Sequence, residues 1–187
     1  MKGKHLNIIK FMLITFFLFV LFATPVNTFS QSRENLLKAG YIEKFIQFVE
    51  WPVKSGIDDP NTPFTIAVFG KDEFENALEK IFGKIRVKNK NVHIKYISSP
   101  GEIDNALVLV ITKSEKNRID EVLRFTSAKP ILTIGDTKGF AKKGIMINLF
   151  IDKNYLRYEI NQTSVNKSGL KISSLLLTSA ILVKSDE

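Results

Sequence analysis

The chain has no cysteine. That absence excludes disulfides, thiol nucleophiles, cysteine-ligated zinc and iron–sulfur clusters together. It also excludes lipid attachment at a lipobox cysteine. Histidine is nearly as scarce, with only His5 and His93. One histidine in the body of the chain builds no zinc site without other ligands, and a Ser–His–Asp triad would have to take His93 as its base. Around it Val92, Ile94 and Tyr96 alternate with His93 and Lys95, so His93 reads as a solvent-facing strand residue. Glycine runs are missing too. Gly70 follows the apolar run 64–69, but it stands alone, and Asp72 and Glu73 behind it repel phosphate where a phosphate loop needs several glycines. Asp72 is read as a helix cap. No cofactor and no metal site are expected.

What is present begins with an address. Lys2, Lys4 and Lys10 give a basic start, residues 11–23 (FMLITFFLFVLFA) are apolar apart from Thr15, and small or polar residues follow. This is the layout of a secretory signal. A spanning helix needs about 20 apolar residues and this run is shorter, so cleavage is expected rather than anchoring. Thr28 and Ser30 suit the −3 and −1 positions, which places the cut after Ser30. The expected division is therefore a signal peptide over 1–30 and one domain over 31–187, exported to a bacterial periplasm. The formal charge of +8 falls to +5 once the three signal lysines are gone. The remaining basic residues are scattered, so no nucleic-acid partner is expected.

The domain reads as strands alternating with helices. Residues 33–51 carry apolar side chains at helical spacing, with Ser32 as cap and Glu50-Trp51-Pro52 as terminator. Runs 64–69, 106–111 and 131–134 read as buried strands, and 85–87 and 92–97 as further strands. Residues 74–82 and 114–127 read as helices, the second capped by Ser114 with Ile119, Val122, Leu123 and Phe125 inward. Residues 145–150 and 155–160 flank a hairpin turn. In the second of these, Leu156, Tyr158 and Ile160 alternate with Arg157 and Glu159, which can pair loosely on one face. Asn161 caps a helix over 162–167, and 172–182 reads as a last helix. The fold class is α/β: a single three-layer domain with a mostly parallel sheet, helices on both faces and an antiparallel C-terminal hairpin.

Two stretches carry a resemblance. The first is Lys38-Ala39-Gly40-Tyr41, Phe45 and Phe48-Val49-Glu50-Trp51-Pro52. The second runs through Leu132-Thr133-Ile134-Gly135-Asp136, Gly139-Phe140, Gly144-Ile145-Met146-Ile147-Asn148, Tyr158-Glu159-Ile160-Asn161 and Gly169-Leu170-Lys171-Ile172-Ser173-Ser174-Leu175-Leu176. In order and spacing the chain resembles the YfiR-like family. Gly40 stands where alanine is usual, and the cysteine pairs that members often carry are missing.

The resemblance implies the same α/β fold and a periplasmic regulator, not an enzyme. Members of that kind hold down an inner-membrane diguanylate cyclase, so that release raises cyclic-di-GMP and favours biofilm. It also implies a homodimer, and Asn148, Phe150, Glu159 and Asn161 as residues for partner contact. The alternative is a small-molecule binding module, acting with a sensor kinase or an outer-membrane receptor. Its ligand would sit at the strand C-termini near Gly70, Ser114 and Asp136. A hydrolase using Asp136 or Glu159 is the third class, and neither residue has an acid–base partner in the sequence.

Overall fold

A computed structural model of the chain describes residues 27–71, 74 and 76–185. Residues 1–26, which carry the signal reading, lie outside the described residues, as do Asp72 and Glu73. The chain divides into two units, Met1–Arg33 and Glu34–Glu187. The architecture below is that of the second.

Helix α1 (Asn27–Gln47) leads into the short strand β1 (Val49–Glu50). Then come β2 (Phe64–Phe69), α2 (Ala77–Phe82), β3 (Arg86–Val87), β4 (Lys90–Ile97), β5 (Val108–Ile111), α3 (Ile119–Thr126) and β6 (Leu132–Gly135). The chain closes with α4 (Phe140–Lys143), β7 (Ile147–Asp152), β8 (Tyr155–Asn161), α5 (Gln162–Ser168), β9 (Lys171–Ile172), α6 (Ser174–Thr178) and β10 (Ile181–Val183). Eight strands form one sheet in the order β10-β8-β7-β6-β5-β2-β4-β3, and β1 pairs with β9. Neighbours from β4 to β7 are parallel, β7 and β8 are antiparallel, and β10 runs parallel to β8.

The central strands are continuous apolar runs because both of their faces are covered. On one face Ile66, Val68, Val110, Ile134 and Leu149 meet Ile42, Phe45 and Ile46 of α1 and Leu78 and Phe82 of α2. On the other, Phe69, Leu109 and Ile111 meet Ile119 and Val122 of α3 and Phe140 of α4. That is the three-layer arrangement the pattern predicts. The β7–β8 hairpin turns on Lys153 and Asn154, with φ of 46° and 68°. Two successive left-handed residues match the twist of the strands they join.

Several elements differ from the sequence reading. Ser32 lies inside α1 and does not cap it. The buried stripe of α1 includes the polar Asn35 and Lys38, while Leu36 and Leu37 are exposed at 44% and 50%. The helix stops at Gln47 because Val49 and Glu50 pair with Ile172 and Lys171. Trp51 is buried, with Nε1 donating to the Leu107 carbonyl at 3.2 Å and its ring edge-on to Phe64. Helix α3 starts at Ile119, not Ser114, since the Ser114 hydroxyl is engaged elsewhere, and Phe125 is 40% exposed. The last expected helix is broken: α6 spans five residues, and Ile181–Val183 becomes a sheet-edge strand on β8. An apolar run of that length satisfies helix and strand periods equally. The outer side of β8 needs backbone partners, which favours the strand.

Candidate functional site

The order of the parallel strands reverses between β2 and β5. In doubly wound sheets a ligand crevice opens at such a point, beyond the strand C-termini. Here Gly70 is closely approached by side chains from the loop after β5. Gly70 ends β2 with φ of 106°, and a Cβ on it would stand 2.3 Å from Thr112 Oγ1, 2.5 Å from Ser114 Oγ and 2.6 Å from Glu115 Cγ. Thr112 Oγ1 donates to the Phe69 carbonyl at 3.2 Å and lies 2.9 Å from Ser114 Oγ. Ser114 Oγ accepts the Lys71 backbone N–H at 3.2 Å. Beside them the Arg118 guanidinium sits 4.6 Å from the Phe69 ring centre. It donates to Glu115, Glu121 and the Ser98 carbonyl. The hydrogen bond to Arg118 holds Glu121 below the usual glutamate range.

Gly70 and Ser114 therefore come together, and Asp136 stands apart from them. It ends the next strand, β6, and takes Lys38 of α1 at 3.1 Å, while Lys38 also reaches Glu34 at 2.8 Å. Both Lys38 and Asp136 are largely buried. Burial alone would pull the Lys38 ammonium down, but its hydrogen bonds and charge contacts with Glu34 and Asp136 outweigh burial and raise it. A raised lysine stabilises fully below its ordinary value of 10.5 and loses that contribution as pH climbs through the folded-state value. Lys38→Met should thus cost about 2 kcal/mol at neutral pH, below the figure for a fully buried pair because Glu34 is partly exposed. The gap from wild type should stay level through neutral pH and narrow only in alkali. Urea unfolding at a series of pH values from neutral into alkali checks this, and a gap that does not narrow in alkali would contradict it.

The four residues predicted for partner contact lie on the β7–β8 hairpin. Asn148 and Glu159 are cross-strand partners, and Asn148 Nδ2 donates to Glu159 Oε2 at 3.2 Å. Asn148 is fully buried, and its Oδ1 finds no hydrogen-bond partner among the described residues. Asn161 is also fully buried. Its Oδ1 accepts the Ser164 N–H at 3.0 Å and so caps α5, while its Nδ2 donates to the Ala141 carbonyl at 2.7 Å and to Ser185 Oγ at 2.9 Å. Phe150 and Glu159 are half-buried, so these two carry the part of the group that reaches solvent. Arg157 pairs with Asp152 at 3.4 Å rather than with Glu159.

Sequence reasoning did not anticipate a cavity of about 450 Å³ on the α1 side of the sheet, close to its β10 edge. Tyr41, Lys44 and Phe45 of α1, with Phe48 just beyond its end, line one wall, residues 155–158 of β8 another, and Leu176, Ser179 and Ile181 the third. The Phe45 and Tyr158 ring centres are 4.9 Å apart, and Tyr41 lies about 6 Å from each (6.0 and 6.2 Å). The Tyr158 hydroxyl donates to the Leu176 carbonyl at 2.9 Å and lies 2.5 Å from Ser179 Oγ. Tyr155, 70% exposed, stands at the mouth. The signal was in the sequence as Tyr41, Phe45 and Phe48 among the apolar side chains at helical spacing over 33–51.

The family model described as YfiR/HmsC-like matches residues 35–180. No curated protein matches the chain by sequence. Among solved structures, a conserved domain protein from Vibrio cholerae O1 biovar El Tor superposes with a TM-score of 0.56 at 11% identity, over 78% of this chain and 60% of that one. The ligand-free, open form of a substrate-binding protein with adhesive properties from Clostridium difficile gives 0.51 at 14% identity, over 68% of this chain and 56% of that one. This chain spans under two thirds of either, and at such identities the likeness is one of fold alone.

Proposed function

This chain belongs to the YfiR/HmsC-like family, and from that premise we propose that it is a periplasmic regulatory protein that binds an inner-membrane signalling protein. Its partner is a diguanylate cyclase, gripped through its periplasmic portion, so that the grip sets cyclic-di-GMP and biofilm output. The protein arrives by a signal peptide cut after Ser30 and works as a homodimer. The family match over most of the domain is the observation that carries this reading. A regulator of this kind needs only to bind one state of its partner better than the other.

A run of exposed apolar side chains near the β10 edge supports binding there. Ile151 and Tyr155 flank the hairpin turn, Leu175 is on α6, and Ile181 and Leu182 are on β10. Strand β10 also ends the sheet, so one side of its backbone has no strand neighbour among the described residues. Half-buried Phe150 and Glu159 lie on the two strands beside this edge, and we assign the contact to them and to the apolar run.

The test is site-specific photocrosslinking in the host periplasm from positions 150 and 155, with position 93 near the opposite sheet edge as control. The expected product is an inner-membrane cyclase, crosslinked from 150 or 155 and not from 93. Deleting the protein should raise cyclic-di-GMP. Crosslinks to itself alone, with cyclic-di-GMP unchanged on deletion, would overturn the reading.

A further inference from the structure

We propose that the cavity between α1, β8 and α6 is a binding site for a free single-chain amphiphile with an anionic head group, of the fatty-acid kind. Its volume, about 450 Å³, lies within the roughly 300–1,000 Å³ of small-molecule sites. The wall is built of aromatic and aliphatic side chains. Of the three tyrosines in the lining Tyr158 is the buried one, and its hydroxyl already has two hydrogen-bond partners, so an apolar body does not strand it.

Charge decides the sign of the head group. Among the described residues the cavity is lined by two cations, Lys44 and Arg157, and by no carboxylate. Each cation has one acidic neighbour that is not in the lining, Glu43 at 4.0 Å from Lys44 and Asp152 at 3.4 Å from Arg157, so an anion in the cavity competes with those two ion pairs. An aromatic box without an acid, rimmed by two cations, repels the quaternary ammonium groups that such boxes otherwise hold. It attracts an anion instead.

Ring geometry decides the body. The three rings meet at 57°, 64° and 71° to one another. They offer no pair of parallel faces between which a flat ring could stack. Tilted edges among Leu156, Leu176 and Ile181 suit a flexible alkyl chain. The proposal does not rest on the regulatory reading, although Tyr155 and Ile181 belong both to the cavity lining and to the surface assigned to the partner.

The test uses the protein in the form its host exports, titrated calorimetrically with dodecanoate below its micelle concentration. Dodecyltrimethylammonium and vesicles of anionic phospholipid serve as comparisons. Dodecanoate is expected to bind saturably at one per chain, with the cationic analogue at least about tenfold weaker. Arg157→Glu and Lys44→Glu, both at solvent-exposed positions, should each weaken dodecanoate about tenfold while leaving the unfolding midpoint close to wild type. No saturable binding, equal binding of the cation, indifference to both reversals, or uptake onto vesicles in place of the free amphiphile would each overturn the proposal.

Discussion

Gly70→Ala should lose about 3–5 kcal/mol of stability, the sum of left-handed backbone strain and forced repacking. The backbone at Gly70 has φ of 106°, where a side chain is strained whatever space surrounds it. Space is also missing, since the added methyl would lie within 2.6 Å of atoms of Thr112, Ser114 and Glu115. Thr112 cannot yield. It is fully buried, stiff at χ1 as a β-branched residue, and its hydroxyl is spent on the Phe69 carbonyl. Gly40 is the matched control. It lies in helix α1, and a Cβ there would meet nothing within 4 Å. Gly40→Ala should therefore gain up to about 1 kcal/mol through helix propensity and a less flexible unfolded chain. Urea unfolding of both variants separates the two cases. A Gly70→Ala protein within 1 kcal/mol of wild type would show that the switch-point crevice has room to give.

The central sheet was legible because burial on both faces leaves an unambiguous mark. Residues 64–69 were read as a strand and form β2 with those bounds. The alternation in 155–160 placed Tyr158 and Ile160 inward, where they are buried. Asn161 was read as a cap, and it is one. Misreadings fall where tertiary partners override local pattern. Nothing in the helical period of α1 says that Lys38 goes in and Leu37 out, since that choice depends on Asp136, 98 positions away. The strand β10 exists because β8 has an open side, which no window over 172–182 reveals. The crevice at Gly70 was inferred from topology, and topology was right about where strands end. It could not tell how closely Thr112, Ser114 and Glu115 approach Gly70. The cavity escaped for the opposite reason: Tyr41, Phe45 and Phe48 look like core residues, and a helical stripe does not record whether the layer opposite closes against it.

Phe45→Ala should cost about 3 kcal/mol, the lower end of the range for a buried aromatic truncated to alanine. Phe45 is 1% exposed and contacts both Tyr41 and Tyr158, so the full ring burial is lost. The cost stays at the low end because one side of the ring already borders the cavity, where neighbours and water can relax into the new space. Tyr158→Phe is the informative companion. It keeps the ring and removes only the hydroxyl that joins β8 to Leu176 and Ser179, worth about 1 kcal/mol. Its effect should be local: faster hydrogen exchange over 174–183, where α6 and β10 sit on the edge of the sheet, with little change in the central strands. If Phe45→Ala instead costs less than about 1 kcal/mol, the wall between α1 and β8 is already loose, and the cavity is a gap in packing rather than a formed site. If Tyr158→Phe speeds exchange across β5 and β6 as well, the C-terminal edge folds and unfolds with the core. A partner on β10 would then act on the stability of the whole domain rather than on one of its borders.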